Sequence, residues 1–507
     1  MNNKITLPEN LRKTITKLKA KKKKIVLCHG VFDLLHVGHI NHFQNAKSYG
    51  DILVVSVTSD KYVNKGPGRP AFNEQQRLKA LAALESIDYL VLNNFATAVK
   101  IIKELKPNVY CKGQDYKLNK DDVTGEIKNE IKVLKKNGGK IVYTKGFSSS
   151  SSSLINRFTE IHSSNQKATI EKIKKKYSFQ KIKKLIEDLK KLKVLVIGET
   201  IIDQYVFCNA LGKSGKEPML VLGDIKTEQY LGGAAAISKH ISPFCKNTRL
   251  LSMLGEKAEF LNEVKKNLPK NVKFDYIKKK DSPTIVKKRF LDHISNNKVL
   301  GVYKINYDAL NKQDEKIFRN KLKKLLPKYD VVVVSDYGHG FISEKSSKII
   351  CKYSKFLALN AQINAANVGY HSMRNYKNVK CVIINDREIH QEMRDKNNKT
   401  ELLMKKLSFQ QKIDNLIVTR GKEGALFYNK KNNKFNLSEA YADSVVDKIG
   451  AGDAMLSIIA LCLKNKFSND LSLLIGSLAA AQSTETIGNK ETVSKVKILK
   501  TLEHLLK

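Results

Sequence analysis

Short apolar runs alternate with amphipathic segments along the first third of the chain. Runs of Val, Ile and Leu bounded by polar residues are typical of strands buried on both faces, and the intervening segments repeat apolar residues at helical spacing. This alternation predicts βαβ units and a parallel sheet. The predicted strands are 25–28, 53–57, 89–92, 109–111 and 141–143.

A second alternation of the same kind begins at residue 194, with predicted strands at 194–198, 331–334, 381–384 and 416–418. The segment that separates the two alternations is rich in Lys, lacks Gly and has helical period. We therefore predict an α/β protein with two α/β domains. Its parts are an N-terminal extension (1–23), a first domain (24–161), a Lys-rich linker or helix (162–192) and a second domain (193–507).

Cysteine usage and hydropathy exclude several classes of protein. The seven cysteines are scattered and form no Cys-x-x-Cys pair, which argues against a disulfide scaffold and a structural zinc site. The N-terminal segment is polar, and the longest apolar run, near residues 456–463, is far shorter than the roughly 20 residues that span a bilayer. We expect a cytoplasmic protein without a membrane span.

The charge balance invites a nucleic-acid interpretation, because Lys plus Arg is 92 against 49 Asp plus Glu. Arg, whose planar guanidinium group makes paired hydrogen bonds with phosphates and bases, is nevertheless scarce. Aromatic residues are 7% of the chain, and Trp is absent. Lys is instead spread over every segment. We expect no specific nucleic-acid partner, and an attraction of anionic small molecules into clefts.

The first candidate site is the string His36-Val37-Gly38-His39, which follows a predicted strand and opens a helix. Free N–H groups and the positive end of the dipole favour phosphate at such a position. Two imidazoles there could stabilise charge that develops on a triphosphate. Two His residues at this spacing are also compatible with a structural role or a weak metal site.

The segment 24–158 resembles the H-x-G-H nucleotidyltransferases, and most closely their heptose-1-phosphate adenylyltransferase branch. The resemblance implies a Rossmann-like nucleotidyltransferase sheet. Further matching strings are Lys65-Gly-Pro-Gly-Arg69, Glu74-Gln-Gln-Arg77, Lys112-Gly-Gln-Asp115 and the run Ser148–Ser153. The resemblance implies that His36 and His39 activate the triphosphate. It implies that the nucleotide or sugar phosphate is contacted by Phe32, Gly38, Lys47, Arg77, Lys112, Asp115, Ser150 and Ser151. A serine run is ordinarily a flexible linker, and the family usually has Thr there.

The second candidate site is the string Gly450-Ala451-Gly452-Asp453, which precedes a long apolar segment of helical period. Glycines at a helix start can form an N–H cradle for an anion, and a carboxylate one residue later can accept a proton from an attacking hydroxyl. Phosphoryl transfer requires this combination of positioning and charge neutralisation.

The segment 193–507 resembles the ribokinase-like (PfkB) sugar kinases. The matching strings, in the order of the family, begin at Gly198, Leu231, Ser335, Asn385 and Val418 and end with the Gly450 string. The resemblance implies that Asp453 is the base and that Gly450, Ala451 and Gly452 form the anion hole. It further implies sugar contacts from Asp203, Gly232, Gly233 and Asp336, a hydrated Mg²⁺ organised by Asn385 and Glu388, and an ATP site shaped by Gly421 and Gly424.

Three departures from the kinase pattern leave the acceptor sugar open. Ala236 stands where the family has a sugar-contacting Asn, Lys448-Ile449 precede Gly450, and residues 360–367 are rich in amides. Those amides are compatible with turn chemistry or with a pocket wall.

Together the two domains resemble bifunctional heptose-7-phosphate kinase/heptose-1-phosphate adenylyltransferases, with the domain order reversed. This implies phosphorylation of a sugar and its activation by a nucleotide, with ATP and Mg²⁺ as cofactors and sugar phosphates and nucleotides as the partners. CTP at the first site, another sugar or polyol, and a kinase-like fold retained for ligand sensing or scaffolding are the alternatives. A homodimer is compatible with the sequence.

Overall fold

The computed structural model describes residues 4–63, 68–113, 126–144, 163–363, 367, 371–442 and 445–506. The chain divides into two compact units. The first comprises Met1–Ser163 together with Val496–Lys507, and the second comprises Ser164–Lys495. Among the described helices, none combines the length and the apolar character needed to cross a membrane.

The first unit contains a five-stranded parallel sheet with the strand order β3-β2-β1-β4-β5. The order reverses at β1, and the crevice at the carboxyl ends of strands β1 and β4 is where open α/β sheets bind ligands. The strands are β1 (Ile25–Gly30), β2 (Ile52–Thr58), β3 (Tyr89–Asn93), β4 (Val109–Gly113) and β5 (Lys140–Thr144). The first five helices are α1 (Pro8–Ala20), α2 (Val37–Lys47), α3 (Glu74–Ala82), α4 (Val99–Leu105) and α5 (Glu126–Lys136).

Both faces of this sheet are covered. Val26 and Cys28 of β1 belong to one buried apolar cluster, whereas Ile25 and Leu27 belong to the other. Successive side chains of a strand point to opposite faces, so an uninterrupted apolar run is required here. The predicted parallel sheet is confirmed.

The second unit contains a nine-stranded sheet with the order β10-β9-β6-β13-β14-β15-β16-β17-β18. The first seven strands in this order are parallel, and β17 and β18 join as antiparallel neighbours. The strands are β6 (Lys193–Gly198), β9 (Asn247–Gly255), β10 (Val272–Lys279), β13 (Val331–Asp336), β14 (Leu357–Ala361), β15 (Cys381–Asn385), β16 (Asn415–Thr419), β17 (Ala425–Asn429) and β18 (Lys434–Ser438).

A separate four-stranded sheet, here called the small sheet, has the order β12-β11-β7-β8. Its strands are β7 (Thr200–Lys213), β8 (Leu220–Gly233), β11 (Ile285–Asp292) and β12 (Lys298–Lys304). The remaining helices are α6 (Ser164–Lys176), α7 (Phe179–Asp188), α8 (Ala234–Ile241), α9 (Leu261–Asn267), α10 (Lys312–Leu325), α11 (Glu344–Tyr353), α12 (Asp386–Met393), α13 (Thr400–Gln411), α14 (Ala451–Lys464), α15 (Asn469–Thr484) and α16 (Lys495–Leu505).

Two segments are organised differently from the predicted domain scheme. The Lys-rich segment forms two helices, α6 and α7, separated at Ser178, whose hydroxyl accepts a hydrogen bond from Lys181 N. Both helices belong to the second unit, and α7 buries Ile182 and Ile186. At the other end of the chain, almost all of α16 groups with the first unit. The first unit is therefore built from both ends of the chain.

Candidate functional sites

His36 and His39 lie at the start of α2, immediately beyond the carboxyl end of β1. His36 is the N-cap residue, and its Nδ1 accepts a hydrogen bond from Gly38 N at 3.1 Å. Because Nδ1 is the acceptor, the proton of the neutral imidazole is on Nε2. The centroids of the two imidazole rings are 4.1 Å apart, and the ring of Phe32 stands edge-on to His39 at 5.5 Å. The string thus places two imidazoles side by side at a helix N-terminus.

Lys112 lies at the end of β4, close to the same crevice. Its Nζ is 3.4 Å from the carbonyl oxygen of His29 and 3.7 Å from a carboxylate oxygen of Glu130. Glu130 also accepts hydrogen bonds from Tyr110 and from Ala98 N. The Lys112 ammonium is predicted to contact a ligand. A buried carboxylate thus already holds it in place.

Two further histidines of this region were missed from the sequence. His42 lies on α2, with Nδ1 2.6 Å from the hydroxyl of Thr144, and His29 lies on β1, with Nδ1 3.2 Å from the hydroxyl of Ser56. Burial, assisted by the positive charge of Lys112, lowers the pKa of each imidazole to about 4. Both rings are therefore neutral hydrogen-bonding groups at physiological pH. Nothing in their sequence spacing distinguishes them from core residues.

Arg77 is buried, and its guanidinium is committed to protein groups. It donates to the carbonyl oxygens of Phe72, Val31 and Thr58 and to a carboxylate oxygen of Asp60. These bonds occupy most of its N–H groups. The geometry favours a structural role, in which Arg77 fixes the loops around the crevice, over the predicted contact with nucleotide.

Lys47 requires a correction. It is the last residue of α2, about 16 Å along the helix axis from His36 at 1.5 Å per residue. Its ammonium donates to the carbonyl oxygen of Asp51 and to the carboxylate of Asp88, which immediately precede β2 and β3. Lys47 therefore lies at the amino edge of the sheet, on the side opposite to the crevice and to the two histidines that it was predicted to assist. Asp115, Ser150 and Ser151 lie outside the described residues.

Asp453 lies in the first turn of α14 and is held by Tyr337, which follows β13. The Tyr337 hydroxyl is 3.0 and 3.2 Å from the two carboxylate oxygens. Burial raises the pKa of Asp453 to about 7, an effect that the hydrogen bond from Tyr337 opposes. A carboxylate with a pKa near the working pH suits general-base chemistry.

The two glycines that precede Asp453 have different structural roles. Gly450 adopts φ +90°, and a Cβ there would lie 2.3 Å from the amide oxygen of Asn489. A Cβ on Gly452 would meet no atom within 4 Å. Gly450 is thus required by the fold of the turn, whereas Gly452 leaves space for an anion at the first turn of α14, where the N–H of Ala451 makes only a long hydrogen bond of 3.5 Å to the carbonyl oxygen of Lys448.

Asp203 and the two glycines of β8 are brought together, as the motifs predict. A Cβ on Gly232 would lie 2.1 Å from a carboxylate oxygen of Asp203, and one on Gly233, at φ +59°, would lie 2.3 Å from the carbonyl oxygen of Glu199. Both positions therefore demand glycine. The other carboxylate oxygen of Asp203 is 2.5 Å from a guanidinium nitrogen of Arg289, a partner on β11 that sequence reasoning missed.

Asp336 and Glu199 form a buried carboxylate pair beneath this site. Asp336 accepts hydrogen bonds from Gly338 N at 3.0 Å and from the Tyr376 hydroxyl at 2.7 Å. Glu199 accepts from the backbone N–H groups of Tyr337 and His339, each at 3.1 Å. Burial, with the charge of Asp336, raises the pKa of Glu199 to about 7. The pair shapes the loop that carries Tyr337, which favours positioning over the predicted sugar contact for Asp336.

Asn385 and Glu388 form a capping box at the start of α12. Each side chain accepts a hydrogen bond from the other residue's N–H, at 2.9 and 2.8 Å, and Glu388 also accepts from Ile363 N at 3.2 Å. Burial raises the pKa of Glu388 to about 7. Among the described residues no group of three or more acidic, His or Cys side chains could hold a metal ion. The carboxylate and amide oxygens of the pair are of the kind that Mg²⁺ or its bound waters prefer as ligands.

Gly421 and Gly424 lie in the turn between β16 and β17. A Cβ on Gly424, at φ +86°, would lie 2.0 Å from the carbonyl oxygen of Ser438, whereas one on Gly421 would meet no atom within 4 Å. Gly424 is explained by packing of the hairpin. Gly421 has open space beside it, as a nucleotide contact requires.

The amide-rich segment is explained in part by turn chemistry. Asn360 donates to the carbonyl oxygen of Ile383, and buried Asn367 donates to those of Tyr337 and Gln362. Both amides satisfy backbone carbonyls, but Asn360 lies on β14, so only Asn367 is explained by turn chemistry.

Two family models match the chain. The model of the pfkB family carbohydrate kinases matches residues 191–495, and the model described as cytidylyltransferase-like matches residues 27–158. Both resemblances stated from the sequence are confirmed. The matched ranges fall within the second and the first unit, respectively.

Curated relatives match the N-terminal part of the chain. A bifunctional protein HldE from Aliarcobacter butzleri is 42% identical over 141 residues, which cover 27% of this chain and 29% of the relative. A protein of the same name from Geobacter metallireducens is 51% identical over 100 residues, or 19% of this chain and 20% of the relative. The match therefore spans less than a third of the length of these relatives.

Solved structures resemble the C-terminal part in fold. Phosphofructokinase-2 from Escherichia coli, solved with substrates and products, has a TM-score of 0.51 and 14% identity, covering 62% of this chain and 100% of the enzyme. The same enzyme solved with potassium gives the same TM-score, identity and coverage. At this identity the likeness shows the fold, and it confirms the ribokinase-like architecture of the second unit. With its family model covering more than half of the sequence, the chain belongs to the pfkB family of carbohydrate kinases.

Proposed function

We propose that the chain is a bifunctional transferase, a sugar kinase joined to a sugar-1-phosphate nucleotidyltransferase. The product would be a nucleotide-activated sugar of the ADP-heptose kind. The observation that carries the kinase half is the placement of Asp453 beside the open N-terminus of α14. The paired imidazoles of His36 and His39 carry the other half.

In the kinase step an acceptor hydroxyl attacks the γ-phosphorus of ATP. The bond between that phosphorus and its bridging oxygen breaks, ADP leaves, and Asp453 accepts the hydroxyl proton. The N–H groups at Ala451 and Gly452 bind the equatorial oxygens of the transferring group. Mg²⁺, bound through water near Asn385 and Glu388, would neutralise phosphate charge. Gly421 would border the adenine nucleotide, and Asp203 would orient the acceptor.

In the nucleotidyl step a phosphate oxygen of the sugar 1-phosphate attacks the α-phosphorus of the nucleotide, and pyrophosphate leaves. The two imidazoles at the start of α2 donate to the phosphate oxygens as charge moves to the leaving group. Lys112 lies near enough to the crevice to add a positive charge. Phe32 fixes the orientation of His39.

Two nucleotides, ATP and CTP, are candidates for the nucleotidyltransferase site. The family model that matches residues 27–158 is described as cytidylyltransferase-like, which favours CTP, whereas the resemblance of this part to adenylyltransferases favours ATP. Incubation with ATP or CTP and a panel of sugar 1-phosphates, followed by pyrophosphate release, separates the two. Release with neither nucleotide would refute the nucleotidyltransferase half of the proposal.

We further propose that the kinase unit forms a homodimer through the small sheet. β12 is solvent-exposed along its length, and large apolar side chains of β7, β8 and β12 are exposed, namely Leu211, Leu220, Ile225, Leu300 and Val302. Large apolar side chains left exposed to solvent on a sheet are typical of an interface. Light scattering of the full chain, compared with the variant Leu300→Glu, tests it: the wild type should have twice the mass of the variant.

A further inference from the structure

Lys287 is a buried lysine at the kinase site that no motif indicates. It lies on β11 in direct register with Asp203 of the parallel strand β7, so both side chains point to the same face of the small sheet. The residue is 8% exposed. Its ammonium lies over the ring of Tyr337, 5.3 Å from the centroid, and over the ring of Tyr303 at 5.8 Å.

This ammonium has no hydrogen bond or ion pair with any residue in the described part of the chain. A buried charge without such a partner is costly, and proteins retain one where it acts on a neighbouring charge or a ligand. Tyr337, which receives the ammonium on its ring face, holds both carboxylate oxygens of Asp453 through its hydroxyl. Lys287 thus contacts the ring of the residue whose hydroxyl binds Asp453, the candidate base.

The other charged groups around Asp453 are already committed. On β7 and β11, Asp203 is paired with Arg289 at 2.5 Å. Before β7 and at the start of α12, Glu199 and Glu388 accept hydrogen bonds from backbone N–H groups. Asp447, before α14, is paired with Lys298 of β12. The remaining titratable neighbours are Tyr205, Tyr303, Asp336, Tyr337 and the buried His339.

We propose that Lys287 is a positioning residue of the kinase site, which keeps Asp453 ionised in its water-poor surroundings until the acceptor hydroxyl delivers its proton. The inference rests on the proposed kinase function. Asp203, which lies in register with Lys287, is already paired with Arg289, so Lys287 adds a second positive charge to a site that also contains Asp453. Without Lys287 the negative charges of Asp203 and Glu388 and the burial of Asp453 are opposed only by the hydrogen bond from Tyr337, and the base becomes protonated at a higher pH.

The first test is the dependence of kcat/KM on pH, from pH 5.5 to 9.5, for ATP-dependent phosphorylation of the acceptor. Lys287→Met should move the acidic limb up by about one pH unit, because a unit charge at this range is worth at least that much in a partly desolvated site. Activity would then fall about tenfold more at pH 6 than at pH 9. Lys287→Arg, which keeps the charge, should keep the wild-type limb.

The matched control is Lys288→Met, which removes the neighbouring lysine on the opposite face of β11 and should leave the profile unchanged. An equal loss of activity at every pH in Lys287→Met would overturn the proposal, since it would show a role in binding or folding only. So would an upward shift of the limb in Lys287→Arg as large as that in Lys287→Met.

A second measurement does not require activity. The thermal stability of the wild type relative to Asp453→Asn should fall as pH rises from about 4, because the pKa of Asp453 is higher in the folded than in the unfolded state. This difference in thermal stability should stop changing near pH 7. When both proteins also carry Lys287→Met, it should stop changing about one pH unit higher. Levelling at the same pH in both backgrounds would refute the role of Lys287. Absence of phosphorylation by the wild type would refute only the proposed kinase function.

Discussion

The hydroxyl of Tyr337 lies 3.0 and 3.2 Å from the two carboxylate oxygens of Asp453. The contact joins a loop at the carboxyl end of β13 to the first turn of α14, two elements more than 100 residues apart in sequence. The backbone N–H of the same tyrosine is held by Glu199. The orientation of the candidate base is therefore set by groups that lie on other elements of the unit.

Replacement of Asp453 by Asn should abolish phosphorylation of the sugar. The amide cannot accept the hydroxyl proton, and general-base catalysis typically contributes 10²–10⁴-fold, so we expect a loss of about 10³-fold in kcat. Release of pyrophosphate from a supplied sugar 1-phosphate, measured on the same preparation, should be unchanged. Loss of both activities in the folded variant would show that the two sites are coupled or that Asp453 is not the base.

Tyr337→Phe should reduce kcat of the kinase by about tenfold, because one hydrogen bond to a charged group is worth roughly 1.5–3 kcal/mol and only part of it orients the base. KM for ATP should change little, since the hydroxyl faces the carboxylate. Steady-state kinetics of the purified variant measure both constants. A kcat equal to that of the wild type would mean that the hydroxyl does not position Asp453 in the working enzyme.

His36→Ala and His39→Ala should each abolish nucleotidyl transfer while the fold is retained. Each substitution removes a donor directed at phosphate charge, and loss of such a donor costs about 10²-fold or more. Pyrophosphate release reports the activity, and circular dichroism reports the fold. Near wild-type release by either variant would refute the assignment of the crevice.

The variant Lys47→Met is the control for His36→Ala and His39→Ala. Lys47 pairs with Asp88 at the amino edge of the sheet, so its removal should leave nucleotidyl transfer within about twofold of the wild type. A half-exposed ion pair contributes about 1 kcal/mol or less to stability, and the thermal midpoint should fall only slightly. A hundredfold loss of activity would restore the role that the sequence predicted for Lys47.

The contrast between His36 and Lys47 shows where sequence reasoning succeeds. A strand followed by a glycine-containing helix start places His36 at the carboxyl edge of a parallel sheet with little dependence on the rest of the fold. The position of Lys47 depends on the length of α2, whose 11 residues carry it to the other edge. The glycines at 232 and 233 were recognised by their motif, and the structure supplies the cause, a carboxylate and a carbonyl that leave no room for a Cβ.

Lys287 and Arg289 illustrate what the sequence did not reveal. They belong to a run of three basic residues at positions 287–289 of one strand, which local sequence does not distinguish from exposed charges, and only the pairing with β7 places them against Asp203. The same holds for α16, whose period predicts a helix but not the unit to which it belongs. Such features depend on contacts between distant segments, which local patterns do not encode.

The assignment of α16 to the first unit changes what truncation should do. Ile498 and Leu502 of this helix are fully buried, and deletion of a buried Leu or Ile side chain to Ala typically costs 2–5 kcal/mol. A fragment of residues 1–162 lacks α16 and should be less heat-stable than the N-terminal unit of the full chain. We expect it to catalyse nucleotidyl transfer at low temperature and to lose that activity at a lower temperature than the intact protein.

A crossed pair of variants in the full chain separates this effect from a general loss of stability. Leu502→Ala should lower the temperature at which nucleotidyl transfer is half-inactivated and leave that of the kinase nearly unchanged. Leu407→Ala, at a buried position of α13 in the second unit, should do the reverse. Domains with separate cores can lose stability separately. If Leu502→Ala lowers the inactivation temperature of the kinase alone, α16 stabilises the second unit and the fragment should match the intact protein.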